Sequence, residues 1–191
     1  MAQPGKLGVD FKGFVAAIGW FNYKLLEPLL PRGIHLANIA CIEHLNAYLG
    51  DFYLQRDLLK NSDPKMKRLF YWHFAEEIEH QRVAFDVFEH LYGSYFLRVI
   101  GAFLVITLFF AINTGGTLYF LWQDKCLFRS STWRECWNFM IKESALINSL
   151  RNTLDYLRPA FNPAQKNNYR LAKRFLSDPD NKKSFKICPT P

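Results

Sequence analysis

Residues 70–86, FYWHFAEEIEHQRVAFD, place metal-binding side chains at a helical period. His73, Glu77 and His80 are spaced i, i+4 and i+7. At about 100° per residue they fall within about 60° of one another, so they project from one narrow helix face. The same stripe carries Met66, Leu69 and Phe70 before them and Ala84, Val87 and Leu91 after them. Ligand-type residues thus interrupt a stripe that is otherwise apolar, and the pattern predicts that this stripe faces the core. An unpaired carboxylate there costs several kcal/mol or takes up a proton. Two imidazoles and a carboxylate converging at such a place point to a bound cation. Glu77-x-x-His80 is also the i, i+3 pair with which helical bundles hold two-metal carboxylate centres. The competing reading is a pair of ordinary half-buried histidines beside surface acids, and three residues in phase argue against it.

The rest of the helix reads differently. Glu79, Arg82 and Asp86 are spaced as a solvent-exposed ion ladder. Glu76 lies between the two faces, as a supporting group, an extra ligand or a general base. The pattern His-Glu-x-x-His does not occur, which sets aside the zinc proteases that use it.

Outward from this stretch the chain reads as consecutive helices. The spacing predicts helices over residues 9–30, 34–59, 64–92, 95–123 and 132–157, with a short one over 165–176. Pro31-Arg32-Gly33 and Gly93-Ser94 supply breaks, and Asp63-Pro64 supplies an N-cap followed by proline at the first helical position. No strand alternation and no internal repeat is present. The expected organisation is one helical metal-binding domain, 1–176, followed by a basic tail, 177–191.

A carboxylate from a second helix should complete the site, and Glu43 is the candidate. It sits on a stripe with Leu36, Ile39, Ala40, Ala47 and Gly50, small or apolar neighbours that let another helix approach. Its separation of thirty residues from His73 suits two antiparallel helices joined by a short turn. His44 points about 100° away from it, and Asn46 occupies the place where a histidine would have made a second Glu-x-x-His.

Composition bounds the alternatives. Half of the 191 residues are apolar and 21% are charged, which excludes wholesale disorder. Cys41, Cys126, Cys136 and Cys188 form no CxxC, so a reducing compartment is expected rather than a disulfide framework. Most of the +7 charge comes from residues 151–191, which hold nine basic and three acidic residues. No zinc finger, helix-turn-helix or RNA-binding signature accompanies them, so no nucleic-acid partner is expected. The first residues, MAQPGKLGVDFKG, lack the apolar core of a cleavable signal peptide.

Val99 to Trp122 contains no charged residue, long enough for a membrane span. Arg98, Lys125 and Arg129 flank it, with Tyr119 and Trp122 near one end, as interfacial anchors would. Asn113-Thr-Gly-Gly-Thr117 interrupts the run, and Val99 to Ile112 alone is too short to cross. Three readings stay open: a central bundle helix, a helix lying at the membrane surface, and a true span.

Cys-Ile-Glu43-His44-Leu-Asn-Ala and Tyr71-Trp-His73-Phe-Ala-Glu76-Glu77-Ile-Glu79-His80-Gln-Arg-Val-Ala-Phe-Asp86-Val resemble a bacterial family named predicted metal-dependent hydrolases. Gly93-Ser-Tyr-Phe-Leu-Arg98 and Tyr156-Leu-Arg-Pro-Ala-Phe-Asn-Pro163 resemble it too, so the likeness spans about residues 34–176. More remotely, the order Glu…His-x3-Glu-x2-His resembles half of the site in ferritin-like di-iron N-oxygenases. The resemblance implies an all-α, partial ferritin-like helical bundle with one long, very hydrophobic helix. It implies metal ligation by Glu43, His73, Glu77 and His80. Members of the family carry an earlier helix pair with its own Glu and Glu-x-x-His. Upstream of Glu43 only Asp10 and Glu27 are carboxylates, and the first histidine is His35. The expectation is a chain that begins partway through the domain, with a one-metal site or a partner chain in place of the other half.

Two imidazoles and two carboxylates suit a divalent Fe, Mn or Zn. The expected activity is hydrolysis by metal-activated water, with Glu76 as catalytic base. The alternatives are a di-iron oxygenase or oxidase, and a non-catalytic membrane-associated helical protein with a partial metal site. The expected partners are a small hydrophobic substrate, a membrane surface reached through helix 95–123, and a second copy of the chain. The expected location is the cytoplasm, or on or in the inner membrane.

Overall fold

A computed structural model describes residues 11–142, 144–166 and 169–177. α1, Phe11–Trp20, continues through a π-helical stretch, Phe21–Leu26, into a last turn at Glu27–Leu29. The other helices are α2 (Arg32–Arg56), α3 (Pro64–Leu91), α4 (Tyr95–Gln123), α5 (Ser130–Trp137), α6 (Ala145–Tyr156) and α7 (Tyr169–Ser177). No strand occurs among the described residues, and the fold is all-α. The basic stretch from residue 178 onward lies outside the described residues.

Local chemistry sets the ends of α3 and α4. Asp63 Oδ1 accepts hydrogen bonds from the N–H groups of Lys65 (2.9 Å) and Met66 (3.1 Å), with Pro64 in the first turn. After α3, Gly93 takes φ +54°, and Ser94 Oγ caps α4 by accepting from the Leu97 N–H at 3.4 Å. α2 ends three residues before the expected Leu59. Asp57 turns left-handed there, accepts from the Tyr71 hydroxyl at 2.8 Å and pairs with Lys67 at 2.6 Å.

The segment expected as one helix over 132–157 is two. α5 runs into a π-helical stretch, Asn138–Lys142, and the chain then turns at Ser144, φ +55°, before α6. Nor does a helix start at Gln165. Pro163–Gln165 forms one 3-10 turn, capped by Asn162 Oδ1 on the Ala164 N–H, and α7 begins at Tyr169.

α2 and α3 pack antiparallel, with Gly50 facing Phe74 and Asn46 facing Glu77. The approach is close because Gly50 has no side chain: a Cβ there would lie 2.6 Å from the Phe74 carbonyl oxygen. α2 also meets the first half of α4, where a Cβ on Gly101 would lie 2.6 Å from Ala37 Cβ. Cys41, Leu45, Phe85, Ala102, Val105, Tyr156 and Phe161 form the core between these helices and α6.

Arg98 ties α4 to the segment after α6. Its buried guanidinium donates to the Arg158 carbonyl at 2.7 Å and the Pro159 carbonyl at 3.3 Å. The rings of Tyr95, Phe85, Tyr156 and Phe161 surround it at 5.5–5.9 Å. Tyr95 adds a hydrogen bond to the Leu157 carbonyl at 3.0 Å. Two sequence motifs about sixty residues apart, around Arg98 and around residues 156–163, thus build one clamp.

α4 is not a central bundle helix. It is continuous through Asn113–Thr117, where Asn113 Nδ2 donates to the Phe109 carbonyl at 2.7 Å. Only 22% of its most apolar window is buried, and Phe96, Phe103 and Trp122 are largely exposed. By length and composition α4 can cross a membrane. Near its C-terminal end it holds α1, with Phe11 and Phe14 against Tyr119 and Phe120 and with Phe14 over Gly116.

Candidate metal centre

The antiparallel register of α2 and α3 brings Glu43, Glu77 and His80 together. One ligand atom from each lies within 4.8 Å of the other two. Asn46 Nδ2 donates to Glu77 Oε2 at 3.2 Å, and His73 Nε2 lies 3.3 Å from Glu77 Oε1. Three of the four expected ligands therefore converge. The fourth, His73, contacts the cluster through Glu77 and has a side chain 54% exposed. Glu76 is half-buried beside them on the next face of α3.

The carboxylate of Glu43 is the electrostatic anomaly of the group. Its Oε2 is buried and meets no N–H or O–H donor among the described residues, while its carboxylate lies within hydrogen-bond reach of the Glu77 carboxylate. Burial pushes its pKa above the usual carboxylate range, and the charge and hydrogen bonding of Glu77 push it further, while His80 and His73 pull it down. Two carboxylates this close repel each other unless a proton or a cation lies between them.

The expectation that the stripe faces the core is corrected. Met66, Leu69, Phe70, Val87 and Leu91 are exposed, as are His73 and His80, while Glu77 is half-buried. The buried face of α3 is instead Tyr71, Ala75, Ile78, Gln81, Phe85 and Phe88. α3 carries two apolar stripes centred about 120° apart around its axis, and periodicity alone does not rank them. Contacts distant in sequence decide: Ala75 and Ile78 pack with Ala47 of α2 and Ala172 of α7, and Phe88 packs with Ala37 and Ala40. The ligands lie along the edge where α2 and α3 meet, with Glu43 and Glu77 half-buried and His80 exposed on the face of the pair that no other described residue covers. The expected ion ladder is present in part, with Arg82 Nε 3.4 Å from Asp86 Oδ2.

A buried polar network behind this edge was not marked by any spacing. His44 is almost wholly buried. Its Nδ1 faces Gln81 Nε2 at 2.5 Å and its Nε2 faces the Asn152 carbonyl at 3.4 Å. With Gln81 donating to Nδ1, the ring proton sits on Nε2 and is donated to Asn152, a tautomer set by its partners. Burial, with the charge of Lys166 as a second cause, pushes its pKa down to about 3. The imidazole is neutral at physiological pH and packs tilted against Tyr156 and edge-to-face with Phe161. Lys166 itself bonds Asn152 Oδ1 at 2.6 Å, which links this network to the turn after Pro163.

A family model described as predicted metal-dependent hydrolase matches residues 5–167, most of the chain. Neither the curated proteins nor the solved structures compared with the chain include a match.

Proposed function

The chain belongs to the predicted metal-dependent hydrolase family, and we propose that Glu43, Glu77 and His80 hold a divalent cation at its catalytic centre. The observation that carries this reading is the orphaned, buried Glu43 Oε2, aimed into a cluster with a second carboxylate and an imidazole. A cation relieves both the lack of a donor at Glu43 Oε2 and the repulsion between the two acids. The donor set, two carboxylate oxygens with one or two imidazole nitrogens, suits Fe, Mn or Zn.

When bound, such an ion supplies water activated near neutral pH and polarises an acyl or phosphoryl oxygen. The chain's own residues do the rest. Asn46 and His73 each engage one oxygen of Glu77 and so fix the plane of that carboxylate. His73, at 3.3 Å from Glu77, is also near enough to join the ligand set by a change of rotamer. Glu76, half-buried and one residue before Glu77, accepts a proton from the attacking water and returns it to the leaving group. The exposed apolar side chains beside the ligands favour a small hydrophobic ester as substrate. Metal analysis of protein purified without added metal, followed by assay against carboxylic and phosphoric esters, tests this reading. Stoichiometric metal with ester turnover supports it, and metal-free protein that gains nothing from Fe(II), Mn(II) or Zn(II) refutes it.

A second reading is a di-iron oxygenase, favoured by the Glu77-x-x-His80 pair on a helix beside Glu43. Oxygen consumption after anaerobic Fe(II) loading distinguishes it from hydrolysis. Either chemistry is compatible with a membrane location, proposed from the exposed apolar side chains of α4 and α1.

A further inference from the structure

On the side of α3 turned away from the metal ligands, a cavity of about 410 Å³ opens between α3, the turn after α6 and the start of α7. That volume lies within the range of small-molecule sites, about 300–1,000 Å³. Arg82, in its lining, stands about 140° around α3 from Glu77 and about 160° from His80. The cavity and the candidate metal centre are therefore separate. Ile78 and the ring of Tyr169 give the cavity apolar walls, and the nearly fully buried Gln81 closes its inner side. Lys166, Arg82 and Arg170 bring three positive charges to the lining, against one negative charge from Glu79.

The same corner holds more hydrogen-bond donors than acceptors. The Lys166 ammonium carries three N–H donors. It gives one to Asn152 Oδ1 at 2.6 Å and lies 3.7 Å from Asp155 Oδ2, beyond hydrogen-bond length. Its side chain is only 26% exposed, and burial holds its pKa below the ordinary lysine value, with Asp155 acting the other way. A cation withdrawn from water is costly unless acceptors replace the water. Asn152 Nδ2, on the amide that receives Lys166, is a buried donor without a partner among the described residues. Arg82 spends its Nε on Asp86 at 3.4 Å, which leaves both Nη groups unpaired among the described residues.

We propose that this cavity binds a phosphate monoester, its oxyanion held by Lys166, Arg82 and Arg170 and its apolar group laid against Ile78 and Tyr169. Such an ester carries close to two negative charges at neutral pH and three strong acceptor oxygens. It matches a lining of net charge +2 with three cationic groups. Guanidinium forks take its oxygens in pairs. The site does not depend on the metal reading, since no metal ligand lines it. Soluble esters and the headgroup of phosphatidic acid present the same group.

Calorimetric titration of the full chain with phenyl phosphate, and with uncharged phenol, tests the proposal on protein made metal-free by dialysis. The expected result is one saturable site per chain for phenyl phosphate and none for phenol. Arg82→Gln and Arg170→Gln should each weaken binding about tenfold. Glu79→Gln, which removes the acid of the lining, should tighten it about threefold, a change that damage to the fold does not produce. Arg82 and Arg170 are exposed and Glu79 is half-buried, so the variants should fold, as circular dichroism checks. Mn(II) affinity should stay within twofold of wild type in Arg170→Gln. No saturable binding, or equal affinity in all three variants, overturns the proposal. Binding that appears only with Mn(II) also overturns it, by placing the phosphate at the metal centre. Flotation with phosphatidylcholine vesicles containing phosphatidic acid separates the two sources. Flotation displaced by phenyl phosphate and weakened by Arg170→Gln supports the site with a lipid headgroup as occupant. Flotation indifferent to both, with the titration result intact, supports it with a soluble ester.

Discussion

Replacing Gly50 by alanine isolates the contact that sets the spacing of α2 and α3. Helix propensity alone predicts a gain of about 1 kcal/mol, since glycine is that much worse than alanine within a helix. The structure predicts the opposite. The added Cβ would lie 2.6 Å from the Phe74 carbonyl oxygen and 3.2 Å from Phe74 Cβ, and a backbone atom cannot swing away as a side-chain tip can. Restoring an ordinary contact of 3.4 Å requires the helices to separate locally by about 0.8 Å. Overpacking of this kind costs about 1–3 kcal/mol, so the net effect is about 1 kcal/mol of destabilisation. Glu43 lies seven residues away, about 10 Å along α2, so part of the separation reaches the ligands. Metal–ligand distances tolerate only about 0.2 Å, and an affinity loss of about tenfold follows. Gly101→Ala is the control. Its Cβ would meet Ala37 Cβ at 2.6 Å, at the α2–α4 contact and six residues before Glu43. It should destabilise by a similar amount while changing Mn(II) affinity less than twofold. Chemical denaturation and Mn(II) titration of both variants decide the matter. A Gly50→Ala protein more stable than wild type refutes the packing reasoning. Equal Mn(II) affinities in the two variants refute the claim that this spacing positions the site.

Three further outcomes are expected. His44 is neutral in the fold, with a pKa near 3, and ionises near 6.5 when unfolded; its depressed pKa contributes stability above pH 6.5 that is lost as pH falls toward 3. Between pH 7 and pH 5 this removes about 2 kcal/mol, so urea denaturation should show that much less pH dependence for His44→Leu, and an unchanged slope refutes the burial argument. Arg98→Lys leaves a carbonyl of Arg158 or Pro159 without its fork-shaped donor, and should lower stability by about 1–3 kcal/mol with Mn(II) affinity unaltered; a melting temperature equal to wild type contradicts the clamp. Phe103→Asp removes a ring that is 73% exposed on α4 and should weaken flotation with anionic vesicles about tenfold or more, whereas equal flotation places the lipid contact elsewhere.

What could be read from the sequence followed the range of the interactions. Asp63-Pro64 and Gly93-Ser94 act within a few residues, and the helices they bound, 64–91 and 95–123, fall where the sequence places them apart from one residue at the end of α3. Ser144 breaks the fifth segment without glycine or proline beside it, so no local signal marks the turn. The meeting of Glu43 with Glu77 and His80 was legible because a short turn between two long helices leaves few registers. Which stripe of α3 is buried was not legible, since Tyr71/Ala75/Ile78/Phe85 and Leu69/Phe70/Val87/Leu91 carry comparable apolar surface. The choice depends on α2, α4 and α7 docking on one side. His44 likewise gained its partner Asn152 only through tertiary structure, across 108 residues.

The central claim is that one cation sits among Glu43, Glu77 and His80 in each chain. Anomalous diffraction from crystals grown with Mn(II), collected above and below the manganese edge, tests it most directly. The account predicts a peak about 2.0–2.3 Å from a carboxylate oxygen of Glu43, one of Glu77 and a ring nitrogen of His80, absent in His80→Ala and retained in Glu79→Ala. No peak at the α2–α3 edge in well-ordered wild-type crystals, or a peak of equal height in both variants, would contradict it.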